Sequence, residues 1–394
     1  MDAATLEVRL CGRTVGSLAR IAGQYLFAFA DAYVADSGRP TLSLSFKGEG
    51  GLVTALRPTW TRVPPFFANL LPEGALRDYL ARRAGLRPDA EFALLAALGA
   101  DLPGAVEIVA DIAPAALADT AAPLRFSLAG VQLKLSAALR GSGRWTVPTR
   151  GVGGEWIVKL PSARFPGLVE NEFVVMELAR RVGIAVPTVR LVPVAEIEGV
   201  PPDMPAVPPG AALAVERFDR VPGGGRIHME DFAQIFGVYP ERKYEGRSYP
   251  NIARVLAAEA GPEAVGEMVR RLAFSVLVGN GDMHLKNWSL LYPDGRTPAL
   301  APAYDLLATV AYLPDDRLAL GFGRERGLAG IARDQIRRFC EAAGAEVDPM
   351  WRIVAETAAA TVAAWRDHEP RSLLDAGLDS AIDRQIVRAS AAIG

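Results

Sequence analysis

Asp282 and Asn287 stand five positions apart in Gly279-Asn280-Gly281-Asp282-Met283-His284-Leu285-Lys286-Asn287. An aspartate can take the proton of an attacking alcohol, and a carboxamide oxygen is a hard ligand for a small cation such as Mg2+. Glycines on both sides of Asn280 let the chain turn closely around the pair. A second acid, Asp305 in Ala303-Tyr304-Asp305-Leu306, follows a short way on. A base beside two oxygen ligands, Asn287 and Asp305, suits phosphoryl transfer, because Mg2+ bridges protein oxygens to phosphate.

For that chemistry Asp305 must return to Asn287, and the intervening residues offer a route. Trp288 to Tyr292 reads as a strand, Pro293-Asp294-Gly295 as a turn, and Pro298 to Ala303 as a returning extended segment. Ahead of the loop, Val265, Met268, Val269, Leu272 and Val276 recur at helical spacing, so a helix with a buried face runs into the glycines. The same interval separates base and magnesium ligand in the protein-kinase loop H-R-D-x-x-x-x-N. A bare Asp-x-x-x-x-Asn also arises by chance, since both are ordinary loop residues. The helix, the hairpin and the second aspartate, in that order, set this one apart. His284 reads equally well as a structural loop histidine.

Transferring phosphate also requires a cation and close backbone donors. Lys159, in Trp156-Ile157-Val158-Lys159-Leu160-Pro161, interrupts an apolar strand, so it must reach a partner or water. The alternative is an edge-strand lysine facing solvent. Glu172, early in the next helix, either pairs with Lys159 or caps that helix. Phe126-Ser127-Leu128-Ala129-Gly130-Val131-Gln132-Leu133-Lys134 can form a loop whose N–H groups meet phosphate, although a ligand-free hairpin bend would read the same. Ala214-Val215-Glu216-Arg217-Phe218-Asp219-Arg220 falls between the two presumed lobes. Its backbone suits an adenine edge, and equally a plain connecting strand.

The chain of 394 residues is long enough for two domains, and 50% hydrophobic with 22% charged residues suits a globular protein. A net charge of −2 gives no overall attraction to nucleic acid or anionic membranes. Two cysteines, Cys11 and Cys340, exclude a disulfide framework. With neither a signal-peptide pattern nor a long apolar run, a cytoplasmic protein with no membrane association is expected. Residues 1–105 read as a small α/β unit, with strands at Leu6 to Leu10, Tyr25 to Phe29 and Thr41 to Phe46 around a turn from Gly12 to Gly16. An Ala- and Pro-rich connector over 111–124 follows. A β-rich lobe (111–220) holds a helix from Val169 to Val182 ended by Gly183. The remainder, 221–394, reads as mostly helical, with a buried stripe at Val354, Ala358, Thr361, Val362 and Trp365. The expected fold is α+β and bilobal, protein-kinase-like, with a small N-terminal α/β subdomain.

Taken together, these strings resemble the HipA family of bacterial serine/threonine kinases, the toxins of toxin–antitoxin pairs. Besides those above, the resemblance rests on Phe66-Phe67-Ala68-Asn69-Leu70-Leu71-Pro72-Glu73-Gly74 and Glu170-Asn171-Glu172, and it covers roughly residues 5 to 310. It implies that Asp282 is the general base and that Asn287 and Asp305 hold Mg2+. ATP would be bound by Ala129, Gly130, Val131, Gln132, Leu133, Lys134 and Lys159, by Glu216, Arg217 and Phe218 at the adenine, and by His284, Leu285, Lys286, Asn287, Tyr304 and Asp305 near the triphosphate. Ser127 matches a serine whose autophosphorylation inactivates the enzyme; charge beside bound triphosphate would repel it. The resemblance further implies a cytosolic protein substrate accepting phosphate on Ser or Thr, an aminoacyl-tRNA synthetase in known cases. It also implies a helix-turn-helix antitoxin partner and operator DNA reached only through the antitoxin complex. Two other readings stand beside it: a small-molecule kinase of the aminoglycoside-phosphotransferase type, and a non-catalytic antitoxin- and DNA-binding corepressor.

Overall fold

The computed structural model describes residues 4–110, 133–139, 144–147, 154–200, 207–221 and 223–393. Its first unit is a meander of β1 (Ala4–Leu10), β2 (Arg13–Ile21) and β3 (Gln24–Phe29). The turns Cys11-Gly12 and Ala22-Gly23 each hold two consecutive residues at positive φ, the backbone whose twist matches flanking antiparallel strands. The turn expected over Gly12 to Gly16 is therefore only two residues long, and Arg13 already pairs with Leu10. With β4 (Thr59–Trp60) and β5 (Val106–Ala110) the sheet runs β4-β3-β2-β1-β5. Leu6, Val8 and Leu10 point into a core shared with Leu18, Phe27, Phe66 and Phe67.

Thr41 to Phe46, expected as a strand, instead ends in a 3-10 turn at Leu44–Phe46. Side chains take the hydrogen bonds that a ladder would have used. Ser43 Oγ accepts the Ser45 N–H at 3.0 Å, and Glu230 of the large lobe accepts that of Leu44 at 2.9 Å.

Two helices follow, α1 (Gly74–Arg83) and α2 (Glu91–Leu98). Leu76, Tyr79 and Leu80 form the inner face of α1, but they pack with Leu135, Ala137, Trp145 and Val158 of the second sheet. That sheet contains β6 (Lys134–Leu139), β7 (Trp145–Thr146), β8 (Trp156–Lys159), β9 (Val189–Pro193), β10 (Ile197–Glu198) and β11 (Ala211–Glu216), in the order β9-β11-β8-β6-β7-β10. Between β8 and β9 lies α3 (Leu168–Arg181), after which Gly183 at φ 83° releases the chain.

In the large lobe, α4 (Tyr249–Glu259), α5 (Pro262–Val278), α6 (Arg333–Ala343), α7 (Val347–Arg366) and α8 (Ala376–Ala391) surround the largest core. Val174, Val175 and Leu178 of α3 lie in that same core, which ties the small lobe to the large one. The large lobe is not helical throughout. A three-stranded sheet of β12 (His228–Asp231), β13 (Ser289–Tyr292) and β14 (Ala299–Leu300) carries the segment after the loop. The whole is an α+β, two-lobed chain with an N-terminal α/β unit.

Glu230 marks the seam between that unit and the large lobe. Fully buried, it accepts from the Tyr292 hydroxyl and lies 2.5 Å from Ser43 Oγ. Burial pushes its carboxyl up to about 7 from 4.5, against the hydrogen bonds of Ser43 and Tyr292. Between those two values the folded chain keeps a proton that the unfolded chain has lost, so stability falls as pH rises across the window. Glu230→Gln keeps the shape and the neutral state. Wild type is expected to lose on the order of 3 kcal/mol relative to this variant across that window, measured by urea unfolding at a series of pH values.

Candidate active site

The register of β6 and β8 sets Lys134 directly opposite Lys159. Like charges across a strand pair repel, and both side chains are buried, at 3% and 4% exposure. Asp305 resolves the conflict. Lys159 Nζ contacts its Oδ1, and Lys134 Nζ lies 3.3 Å from its Oδ2. Lys159 also contacts Glu172 of α3.

The protonation states follow from this geometry. Burial works against the Lys159 ammonium, but Asp305 and Glu172 outweigh it and hold its pKa above the ordinary lysine value. For Lys134 burial wins over Asp305, and the pKa is lowered. Burial opposes the Asp305 charge, yet Lys134 and Lys159 hold its carboxyl well below the usual range. Glu172 is pushed up by burial, with Lys159 only partly opposing.

The hairpin delivers Asp305 to this place. β13 and β14 pair Leu290 with Leu300 and Leu291 with Ala299, and the Ala301 N–H donates to Ser289 O at 2.9 Å. The Tyr304 hydroxyl then donates to Lys286 O at 2.8 Å and lies 2.6 Å from Ser289 Oγ, fastening the returning chain to the loop it left. Asn287 and Asp305 consequently share the wall of one small cavity with His284, Lys286 and Tyr304. Asp305 itself sits at φ 54°, a conformation uncommon outside glycine.

Glycines are required on the loop for want of space. A Cβ on Gly281 would stand 2.2 Å from Asp316 Oδ2 and 2.7 Å from Arg317 O. Within the loop, Leu285–Asn287 forms one 3-10 turn, and Asn287 Nδ2 donates back to Asp282 O at 2.7 Å. That bond spends the carboxamide nitrogen and not its oxygen. The Tyr244 hydroxyl donates to Asp282 Oδ1 at 2.8 Å. Burial raises the Asp282 carboxyl above the ordinary range, while this bond and the Lys243 charge pull it down and Asp305 and Asp316 add to the rise. Asp282 opens onto a cleft of about 680 Å³ whose wall also carries Lys134, Lys159, Glu172 and Asp305.

The other site candidates lie as follows. His284 is buried edge-on to Tyr244, with ring centroids 5.0 Å apart, and burial together with Lys243 and Lys286 keeps its imidazole neutral. Leu285 is wholly buried. The Lys286 ammonium is turned to Asn69 and Asp231, away from the Lys134–Lys159 pair. Glu216 ends β11 with its side chain exposed, and the Phe218 ring lies 5.6 Å from that of Tyr304. The Arg217 guanidinium points into a buried cluster with Asp101 and Asp219, which leaves only its backbone for a ligand. Leu133 accepts the Leu160 N–H at 2.9 Å. Ser127, Ala129, Gly130, Val131 and Gln132 lie outside the described residues. Sequence reasoning missed Tyr244, which approaches Asp282 from 38 residues away, and its neighbour Lys243; neither carries a periodic or motif signal.

Residues 126–365 match the HipA-like C-terminal domain, and residues 6–109 match the HipA N-terminal domain. The chain belongs to the HipA family. "Putative kinase Y4dM" of Sinorhizobium fredii is 50% identical over 374 residues, covering 92% of this chain and 90% of that relative. "Serine/threonine-protein kinase toxin HipA" of Shewanella oneidensis is 29% identical over 331 residues, covering 73% and 72%. The solved HipA of Shewanella oneidensis MR-1, from a complex with HipB and operator DNA, superposes with a TM-score of 0.73 at 25% identity, covering 98% of this chain and 96% of that one. Kinase activity is thus supported at the level of the HipA family.

Lys159→Met would leave Glu172 buried without its partner, so it is expected to cost about 3–5 kcal/mol of stability. Adding Glu172→Gln should recover most of that loss. Denaturant unfolding of both single variants and the double variant measures the coupling.

Proposed function

We propose that this HipA-family chain is an ATP- and Mg2+-dependent serine/threonine protein kinase. The observation that supports it most is that Asp305 joins two neighbouring walls, the cleft that carries Asp282, Lys134 and Lys159 and the small cavity that carries Asn287. The donor set fits Mg2+: Asp305 is held ionised, and the Asn287 oxygen is not used by the loop. Among the described residues no cluster of three or more His, Cys, Asp or Glu could hold a metal. Two protein oxygens completed by phosphate and water are the usual Mg2+ arrangement. When bound, Mg2+-ATP supplies the phosphoryl group and neutralises its charge.

The chain's own residues do the rest. Asp282 accepts the proton of the acceptor hydroxyl, and its raised pKa brings it closer to the pH at which it works. Lys159, fixed by Glu172, holds phosphate oxygens together with Leu133, Lys134 and the loop before them. Backbone groups from Glu216 to Phe218 meet the adenine, and His284 to Asn287 with Tyr304 border the triphosphate. In this reading the three units are an N-terminal unit (1–105), a nucleotide-binding lobe (111–220) and a catalytic lobe (221–394).

The acceptor is a serine or threonine of a cytosolic protein, an aminoacyl-tRNA synthetase being the kind the family suggests, and its modification arrests growth. A helix-turn-helix antitoxin restrains the kinase and links it to operator DNA. Autophosphorylation of Ser127 is a second restraint. The assembly of Shewanella oneidensis HipA with HipB and operator DNA supports such partners. No helix among the described residues is long and apolar enough to cross a membrane.

Expression should arrest growth, and Asp282→Ala should relieve the arrest and lower phosphate transfer by about 10²–10⁴-fold with the fold intact. An equally toxic alanine variant would sink the reading. The base must be ionised, so kcat/KM should fall on the acid side with a midpoint above the ordinary aspartate value of 3.8. Tyr244→Phe removes a hydrogen bond that lowers the Asp282 pKa, so it should move this limb to higher pH. A pH–rate profile of both proteins tests the direction.

A further inference from the structure

Phe66-Phe67-Ala68-Asn69-Leu70-Leu71-Pro72-Glu73-Gly74 belongs to the N-terminal unit and takes no part in the wall of the cleft onto which Asp282 opens, although Asn69 lines the small cavity shared by Asn287 and Asp305, and two of its residues reach the base-bearing loop. Phe66, Phe67, Leu70 and Leu71 are buried in the N-terminal core, which anchors the segment. Asn69, 4% exposed, donates through Nδ2 to Pro65 O at 2.9 Å and to Val238 O at 2.8 Å. Those bonds fix the amide so that Oδ1 faces Lys286. Lys286 Nζ then donates to Asn69 O at 2.9 Å, to Asn69 Oδ1 at 3.0 Å and to Asp231 Oδ2 at 2.9 Å. An ammonium has three protons, and here all three are taken.

Glu73 grips the loop from a second side. Its Oε2 accepts from Lys243 Nζ at 2.8 Å, and its buried Oε1 stands 3.6 Å from Lys286 Nζ. The Lys243 carbonyl accepts the Leu285 N–H at 3.2 Å, and the next residue, Tyr244, holds Asp282. Thus Asn69 and Glu73 fix one cation within the Asp282-to-Asn287 loop, Lys286, and one packed against it, Lys243. The large lobe meets the same segment again, with Gln234 Nε2 donating to Phe66 O at 3.2 Å.

We propose that Asn69 and Glu73 are positioning residues for the base-bearing loop, which makes the N-terminal unit a working part of the kinase site. The proposal rests on the reading of Asp282 as the base. Without this grip Lys286 would have a single carboxylate partner and the Leu285–Asn287 turn would lose its outer anchor. The loop would then sample geometries in which Asp282 and Asn287 do not face the cleft together.

The test uses the full chain carrying Asn69→Ala and, as the milder change at a partly exposed side chain, Glu73→Gln. Each variant should lower kcat about tenfold, with any rise in the KM for ATP smaller than the fall in kcat, because the displaced loop carries Asp282 as well as Asn287 while Lys134 and Lys159 stay in place. Hydrogen exchange read by mass spectrometry should rise over residues 282–288 and stay unchanged in α5. That readout needs no activity, so it separates failure of this proposal from failure of the base assignment, which Asp282→Ala tests. Unchanged exchange in the loop with wild-type kcat in both variants would overturn the proposal. A uniform rise in exchange across the chain for Glu73→Gln would also overturn it, by showing a general structural role.

Discussion

Two buried lysines on adjacent strands face each other, and that is tolerable only with an anion between them. Lys134 and Lys159 are register partners in the small lobe, and the anion is Asp305 of the large lobe. Much of the architecture follows from this requirement. The β13–β14 hairpin must be short enough to return Asp305 to the cleft, and Tyr304 must be fastened to Lys286 and Ser289 immediately before it. A non-glycine residue must also accept a positive φ at that point, a local cost that the two ammonium contacts offset. Glu172 adds a second carboxyl partner for Lys159, so two buried lysines meet two carboxyl groups in the inner cleft.

The family's sequence strings do different physical work from one another. In the proposed reading Gly281 to Asn287 carries the chemistry. Val215 to Asp219 holds the molecule together: Arg217, Arg220, Asp101 and Asp219 form a fully buried ionic cluster that joins the residues after α2 to the end of β11. Asp219 also accepts the Gly104 N–H at 2.8 Å, and Arg217 and Arg220 together hold its carboxyl down to about 2 despite burial. A cluster of this kind costs desolvation and gives little net stability against an apolar replacement. What it specifies is the angle at which the N-terminal unit meets the interlobe segment.

How much of this was legible in the sequence depended on the range of the interaction. The helix into the glycines, the hairpin and the return of Asp305 are set by periodicity and turn residues within a few dozen positions, and they could be read. Thr41 to Phe46 alternates like a strand, but a carboxylate almost two hundred residues away takes the backbone N–H that a ladder would need. Leu76, Tyr79 and Leu80 of α1 recur at helical spacing, whereas nothing local tells which sheet they cover. Lys286 is placed near the triphosphate by the family resemblance alone. Its three acceptors lie 217 and 55 residues away and leave no local trace. Tyr244 has the same character: a hydroxyl that reaches a carboxylate across the fold is invisible until the fold exists.

The five-residue interval between Asp282 and Asn287 can now be given a physical reason. A 3-10 turn advances three residues per turn and projects successive side chains roughly a third of a circle apart. In Leu285–Asn287 that sends Leu285 into the core, Lys286 outward to the N-terminal unit and Asn287 back toward the cleft. Asn287 then closes on the Asp282 carbonyl, so the two residues are referenced to each other by one hydrogen bond within the loop.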